Sequence, residues 1–484
     1  MTIDNLPEDV LLEIFDAYRQ DVELLSCYEE TWNSRDGWFK LAHVCPRWRR
    51  LVHLSPTRLH VHLLFTPRRS SRATVLKRLP LFPILVDYRA ASWTEREENL
   101  ALAALSHRSR VRGIAFRTPC VGMAKAKLLR ALCHPFPELE SLEICPSIPH
   151  DGPLILPVMF LSGSAPHLRR LTLRQVAQRS LSPLLSFATG LVELTLIFHT
   201  EWGLPREASL LQNLQRMSCL RHLELNLIYR LGTMASDLPL TADHSPPIVA
   251  GDVVSLSKLT HLLFTGHRLY LQALVVGLAA PSLQCLDAKL FGQPHGSFPI
   301  PHLCKFICDS GCQFTAIHLV FSRSKLKFHA ATDSQSIDDR PFKMIIPGPG
   351  SLEQMGQELS GPLSTVKELS IALNEPWFNE LPRGPEQWRG FFYHVPQVKM
   401  VQVSSGKEAL NVAHSFQLDG GEPAMDLLPA LEQIKVDIRY LPDIASSRSD
   451  LYASIRVAFE PLITARNQVG CPIMLLITGV DGVR

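Results

Sequence analysis

Leu168-Arg-Arg-Leu171-Thr-Leu173, Leu191-Val-Glu-Leu194-Thr-Leu196 and Leu220-Arg-His-Leu223-Glu-Leu225 are three copies of one six-residue cell. Apolar residues hold its first, fourth and sixth positions. The last three residues alternate, which is the period of a strand with one buried face. Looser copies lie on both sides. Upstream stand Val111-Arg-Gly-Ile114-Ala-Phe116 and Leu139-Glu-Ser-Leu142-Glu-Ile144. Downstream stand Leu259-Thr-His-Leu262-Leu-Phe264, Leu283-Gln-Cys-Leu286-Asp-Ala288 and Phe314-Thr-Ala-Ile317-His-Leu319. Three degenerate copies follow, Val366-Lys-Glu-Leu369-Ser-Ile371, Val398-Lys-Met-Val401-Gln-Val403 and Leu431-Glu-Gln-Ile434-Lys-Val436. Consecutive first positions lie 23 to 33 residues apart, apart from intervals of 39 and 52.

Helical patterns separate the cells, at Lys125–Cys133, Leu181–Phe187, Glu207–Met217, Tyr270–Leu278 and His302–Asp309. Proline often precedes a cell, as at Pro137, Pro166, Pro281 and Pro429. It ends the preceding helix and fixes the turn. One strand plus one helix cannot bury its own apolar face, so such units stack into a solenoid. The cell and its spacing resemble leucine-rich repeats. The asparagine that usually follows the strand is largely missing, since Arg174, Gln175 and Phe198 stand near that place. The resemblance is therefore to irregular repeats. Two stretches interrupt the pattern, 232–257 and 332–362, with clustered Asp, Pro and Gly such as Pro347-Gly-Pro-Gly350. They are expected to be loops or disordered inserts on one rim, and candidates for target contact.

The N-terminus has a different pattern. Pro7 suits a first helical turn, and Glu8 and Asp9 suit the positive end of a helix. Val10, Leu11, Ile14, Phe15 and Tyr18 recur at helical spacing. A polar stretch, Gln20 to Asp36, follows. A second helical pattern runs through Trp38, Leu41, Val44, Cys45, Trp48, Leu51 and Val52, and Pro46 should kink or divide it. So small a unit carries more apolar residues than it can cover. The surplus either docks in a partner's groove or caps the rest of the chain.

The run Leu6-Pro7-Glu8-Asp9-Val10-Leu11-Leu12-Glu13-Ile14-Phe15, with Val44-Cys-Pro-Arg47-Trp48-Arg-Arg-Leu51 behind it, resembles an F-box. The longer connection between its helices and the close ending in His43-Val-Cys-Pro-Arg-Trp48 resemble the F-box proteins numerous in mushroom-forming fungi. The resemblance spans about residues 3–53. It implies docking on the Skp-family adaptor of a cullin–RING ubiquitin ligase. Leu6 and Pro7 would enter the adaptor's groove. Val10, Leu11, Ile14 and Phe15 would divide between interface and core, and Val44, Trp48 and Leu51 would pack the closing helix.

Composition sets limits on the alternatives. Of 484 residues, 46% are hydrophobic and 20% charged, with a net charge of +3, which excludes wholesale disorder. Eleven scattered cysteines, the absence of an Asn-x-Ser/Thr sequon and an N-terminus without an apolar leader suggest a reduced, intracellular, soluble protein. No apolar run reaches the ~18–20 residues of a membrane span. Between Arg47 and Arg78 stand nine bases and no acid, after an acid-rich stretch from Asp4 to Lys40. Few aromatics interleave with those bases, so mutual compensation of the two segments is preferred over nucleic-acid binding. Cys304, Cys308 and Cys312, near His302 and His318, are the best metal candidates. They lack the second close pair of a zinc site, and packing against neighbouring repeats is the simpler role. No P-loop, nucleophile elbow or zinc-protease motif occurs.

The sequence thus predicts an α/β chain: a helical F-box module over 1–55, a connecting or first irregular repeat segment over 56–110, and a leucine-rich-repeat-like solenoid over 111–484. The expected function is a non-enzymatic adaptor without cofactor that presents an unknown protein substrate. The rival is a repeat scaffold with no ligase role. A cap would bury Leu6, Pro7 and Ile14 within the chain, whereas an adaptor would leave an apolar patch there.

Overall fold

The structure is a computed structural model. It describes residues 6–26, 37–56, 63–65, 82–88, 94–116, 123–146, 153–199, 206–228, 253–292, 300–322, 325–332, 341–347, 351–373, 384–417, 426–438 and 445–478. The chain divides into two compact units, Met1–Leu191 and Val192–Arg484.

The first unit opens with helices α1 (Glu8–Ser26), α2 (Gly37–Val44) and α3 (Pro46–Leu54). Pro46 divides the second helical pattern as expected. Cys45 becomes the N-cap of α3, its sulfur accepting from the Trp48 amide at 3.4 Å. Helix α1 continues to Ser26, into the stretch expected to be a polar connection.

Five strands follow: β1 (Leu63–Phe65), β2 (Ile84–Tyr88), β3 (Val111–Phe116), β4 (Ser141–Ile144) and β5 (Arg170–Arg174). They pair in parallel and in chain order. Parallel neighbours need crossovers, which contain α4 (Glu95–Ser106) before β3 and α5 (Met123–Ala131) before β4, while α6 (Gln178–Phe187) comes after β5. The ladder begins upstream of the first leucine-rich cell. The 56–110 segment supplies two of its strands, as short buried runs that lack the cell's spacing. His60 and His62, which alternate just before β1, lie outside the described residues. Phe65, Val86, Ile114, Leu142 and Leu171 share one register row.

Helix α4 carries a complete capping box. The Thr94 hydroxyl accepts from the Glu97 amide at 3.3 Å, and the Glu97 carboxylate accepts from the Thr94 amide at 2.7 Å. Thr94→Ala should cost about 1 kcal/mol. Amide exchange in the first turn of α4 should accelerate about fivefold. An unchanged rate would mean that the box contributes nothing there.

In the second unit the strands are β6 (Glu193–His199), β7 (His222–Ile228), β8 (Val254–Ser255), β9 (His261–His267), β10 (Leu278–Ala279), β11 (Cys285–Phe291) and β12 (Ala316–Phe321). Then come β13 (Lys325–Ala331), β14 (Phe342–Pro347), β15 (Glu368–Leu373), β16 (Met400–Ser404), β17 (Gln433–Asp437) and β18 (Met474–Thr478). Their spatial order is β6-β7-β9-β11-β14-β13-β12-β15-β16-β17-β18, with β8 and β10 a separate parallel pair. Helices α7 (Glu207–Leu214), α8 (Arg268–Val276), α9 (Pro301–Asp309), α10 (Leu352–Glu358), α11 (Ser360–Leu363), α12 (Pro385–Phe392), α13 (Gly406–Ser415) and α14 (Ala445–Gln468) lie between the strands in sequence.

The leucine-rich cells are structural repeats. No apolar position of any cell is more than 6% exposed. Leu223, Leu262, Leu286 and, beyond the hairpin, Ile317, Leu369, Val401 and Ile434 lie in one register row. The first residue of a cell closes the turn that enters its strand, as when the Leu220 amide donates to Met217 O and the Leu259 amide to Leu256 O. The second residue ties neighbouring repeats, as when Arg221 O accepts from the Thr260 amide.

One stretch corrects the sequence expectation. The 332–362 segment is not simply a loop: it supplies β14, α10 and α11. Strand β13 pairs antiparallel with both β12 and β14, and β14 pairs parallel with β11. Two extra strands are thereby inserted between repeats, within the 52-residue interval. Phe342, Met344 and Ile346 point inward in regular alternation. Asp, Gly and Pro on either side hide that alternation in the sequence. Most of the other expected insert, 232–257, lies outside the described residues, which resume at Val253 and include β8.

Candidate functional site

The N-terminal helices separate their apolar residues into two faces. Leu11, Phe15, Leu51 and Val52 are buried, and the Phe15 and Trp48 rings lie 4.6 Å apart at 59°. The Arg47 guanidinium donates to Leu6 O at 2.5 Å, tying the chain before α1 to α3. Arg49 donates to Ala42 O at 2.9 Å, tying α3 to α2. These contacts make Leu11, Phe15 and Leu51 core residues, with Trp48 and Leu6 half-buried.

Pro7 and Val10 face solvent together with Ile14, one helical stripe beside that core. Val10 is 39% exposed and Ile14 41%. Val44, expected to pack the closing helix, instead sits at the last residue of α2 and is 60% exposed. Glu8, Asp9 and Glu13 are exposed on the same helix. The stripe is apolar surface with an acidic border.

The sheet of the second unit offers another surface. Its outward positions are half-buried or exposed and mostly polar. The row Thr195, Glu224, Leu263, Asp287, Lys343, His329, His318, Ser370 and Gln402 follows strand register. His318 Nδ1 lies 2.9 Å from the Ser370 hydroxyl, and the His222 and His261 rings are 5.7 Å apart. Burial first, and His222 second, hold the His261 pKa below its usual value.

The cysteines near α9 are placed as thiols in packing roles. Cys304 is fully buried; Cys308 donates to Glu358 O at 3.3 Å and Cys312 to Leu283 O at 3.3 Å. Burial is the main cause that pushes all three thiols up, away from the thiolate that metal binding requires. Among the described residues no group of three or more His, Cys, Asp or Glu side chains is arranged to hold a metal ion. A cavity of about 220 Å³ lined by Pro157, Val158, Phe160, Ser180, Pro183 and Leu184 contains no ionisable side chain. No helix among the described residues is long and apolar enough to cross a membrane.

No family model matches the chain, and no curated protein matches it. Among solved structures it is similar to a chain of the TLR13–ssRNA13 complex, at 11% identity and a TM-score of 0.32, covering 86% of this chain and 49% of that one. This chain thus spans about half the length of that relative. It is also similar to the leucine-rich repeat-containing protein LegL7 from Legionella pneumophila, at 9% identity and a TM-score of 0.22, covering 86% and 90%. Likeness at this level transfers neither ligand nor activity. The repeat architecture rests on the strands and register above.

The sequence pattern groups Pro7, Val10, Leu11, Ile14, Phe15, Val44 and Leu51 without separating their faces, and the structure turns Pro7, Val10, Ile14 and Val44 outward while burying Leu11, Phe15 and Leu51. Sequence reasoning also missed the lysines of β11, β13 and β14. Their only signal was Lys289, Lys325, Lys327 and Lys343 at alternate positions of apolar runs.

Proposed function

We propose that this chain is a substrate-recognition adaptor. Its N-terminal helices dock on the Skp-family adaptor of a cullin–RING ubiquitin ligase, and its strand–helix repeats hold a protein target. The observation that carries the reading is the solvent-facing stripe of Pro7, Val10 and Ile14 beside a packed core. A helical cap on its own solenoid would bury these residues. A helix that enters a partner's groove leaves them open until binding. The F-box-like order of Leu6-Pro7 and Trp48 supports the same partner. The chain then acts by proximity: a tethered target meets the ligase's charged enzyme at high effective concentration, and no bond-making group is needed here.

The test is capture of the full chain by purified Skp adaptor. Val10→Glu/Ile14→Glu should weaken capture roughly 30-fold or more, because charge would be buried against an apolar groove. Both side chains already contact solvent, so the circular dichroism and unfolding midpoint should not change. A well-folded wild type that is not captured would remove the ligase role and leave a target-binding scaffold.

A further inference from the structure

The strands that break the repeat also change the charge of the sheet's open face. Lys289 on β11, Lys343 on β14, and Lys325 and Lys327 on β13 all occupy outward positions. His318 on β12 and His329 on β13 stand in the same row as Lys343. The one outward acid on these four strands is Asp287, with Lys289 at 3.6 Å; the Lys289 side chain remains 50% exposed and that of Asp287 only 27%. Of the flanking strands, β9 carries no outward Lys, Arg, Asp or Glu and β15 carries Glu368, while farther along the sheet β6 and β7 carry Glu193 and Glu224. The cations are therefore concentrated where the hairpin was inserted.

Apolar residues lie between them. Lys289, Ile345, Lys327 and Val320 follow one another across four strands in register. With strands about 4.8 Å apart, Lys289 and Lys327 are about 10 Å apart across the intervening Ile345. Lys325 and Lys327, two residues apart on one strand, are about 7 Å apart. An extended peptide spaces its alternate side chains by that same ~7 Å. Lysine supplies compact point charges rather than the planar fork that fixes phosphate geometry. Nucleic acid fits less well: among the outward residues named here no arginine accompanies the lysines, and no Phe, Tyr or Trp offers a large ring for base stacking.

We propose that the open face of β11, β14, β13 and β12 is a docking surface for an extended acidic peptide, whose Asp and Glu carboxylates pair with Lys289, Lys327 and Lys343 and whose apolar residues lie on Ile345 and Val320. This assigns a target class to the presenting half of the adaptor reading and rests on that half alone; Skp docking is measured separately.

The full chain would be titrated into a fluorescein-labelled twelve-residue peptide that alternates Glu and Leu, followed by anisotropy. Wild type should bind, with affinity falling as salt rises. The same peptide with Gln for Glu should bind at least about tenfold more weakly. Lys289→Glu/Lys327→Glu/Lys343→Glu should abolish binding, and the milder Lys→Gln triple should weaken it about tenfold while keeping the circular dichroism of wild type. Lys258→Glu/Lys305→Glu, exposed positions away from this face, should have no effect. Equal binding of the Gln peptide, no binding by wild type, or undiminished binding by a folded Lys→Gln triple would overturn the proposal. Tighter binding of a labelled oligothymidine than of the Glu peptide would do so too.

Discussion

Trp388→Ala should destabilise the second unit by about 3–5 kcal/mol. Trp388 is fully buried at the centre of an aromatic cluster. Its ring meets Phe321 edge-on at 5.8 Å, with Phe392 at 5.9 Å and Phe391 at 6.4 Å. Phe392 in turn stacks on Phe416 at 5.4 Å. Trp388 thus joins β12 to α12 directly, and Phe392 carries the cluster on to Phe416 at the end of α13, linking elements from successive repeats. Truncation removes the transfer energy of a large ring and leaves a hole that close-packed neighbours fill only in part. It also removes a polar contact, because Trp388 Nε1 donates to the Glu408 carboxylate at 3.1 Å in a buried setting. Trp388→Phe separates the two effects. It keeps most of the ring and loses the donor, so it should cost about 1–3 kcal/mol. Urea unfolding followed by circular dichroism measures both variants, and exchange of β15 and β16 amides localises the loss. A cost below about 1 kcal/mol for Trp388→Ala would mean that the cluster is not a shared core.

Phe15→Ala should unfold the three N-terminal helices while leaving the strands of the second unit protected. Phe15 is 1% exposed, and its partner Trp48 is only half-covered. A core of some 50 residues supplies only about 3–5 kcal/mol, and a buried Phe→Ala costs about 3–5 kcal/mol. The substitution therefore removes essentially the whole margin of the module. Amide exchange should show protection lost across α1–α3 and retained in β7, β9 and β11. Under the proposed docking, Skp capture should be lost as well, but by unfolding, in contrast to Val10→Glu/Ile14→Glu, which acts on a folded module. Retained protection in α1 would show that the helices draw their stability from elsewhere in the first unit.

The contrast between Phe15 and Ile14 shows where the sequence stops being informative. Both are apolar residues on one helical pattern, and periodicity assigns both to the same broad face. Only the position of α3 decides between them. Trp48 covers Phe15 and leaves Ile14 at the border, so one is core and the other surface. Val44 is a similar case. It looks like part of the closing stripe, yet the break before Pro46 turns it outward at the end of α2.

The repeat region is more legible because each cell is local. An alternating apolar triplet makes a half-buried strand, and a preceding turn residue sets its start; both depend on neighbours in sequence. The expected helix at Lys125–Cys133 forms at Met123–Ala131, and the one at His302–Asp309 forms at Pro301–Asp309. Strands β1 and β2 were missed because Leu63-Leu64-Phe65 and Ile84–Tyr88 are nearly continuous buried runs without the cell's spacing.

The sequence by itself determined the periodic part of this protein: which residues of each cell turn inward, that the strands repeat with helices between them, and that the N-terminal helices break at Pro46. The tertiary structure alone decided the pairing of β13 and β14 within the sheet, the outward turn of Val10 and Ile14, and the gathering of four lysines on one face. The physical reason is range. Burial of alternate residues follows from a few adjacent side chains. Antiparallel insertion between two repeats, and the exposure it leaves, follow from hydrogen bonds between segments far apart in the chain.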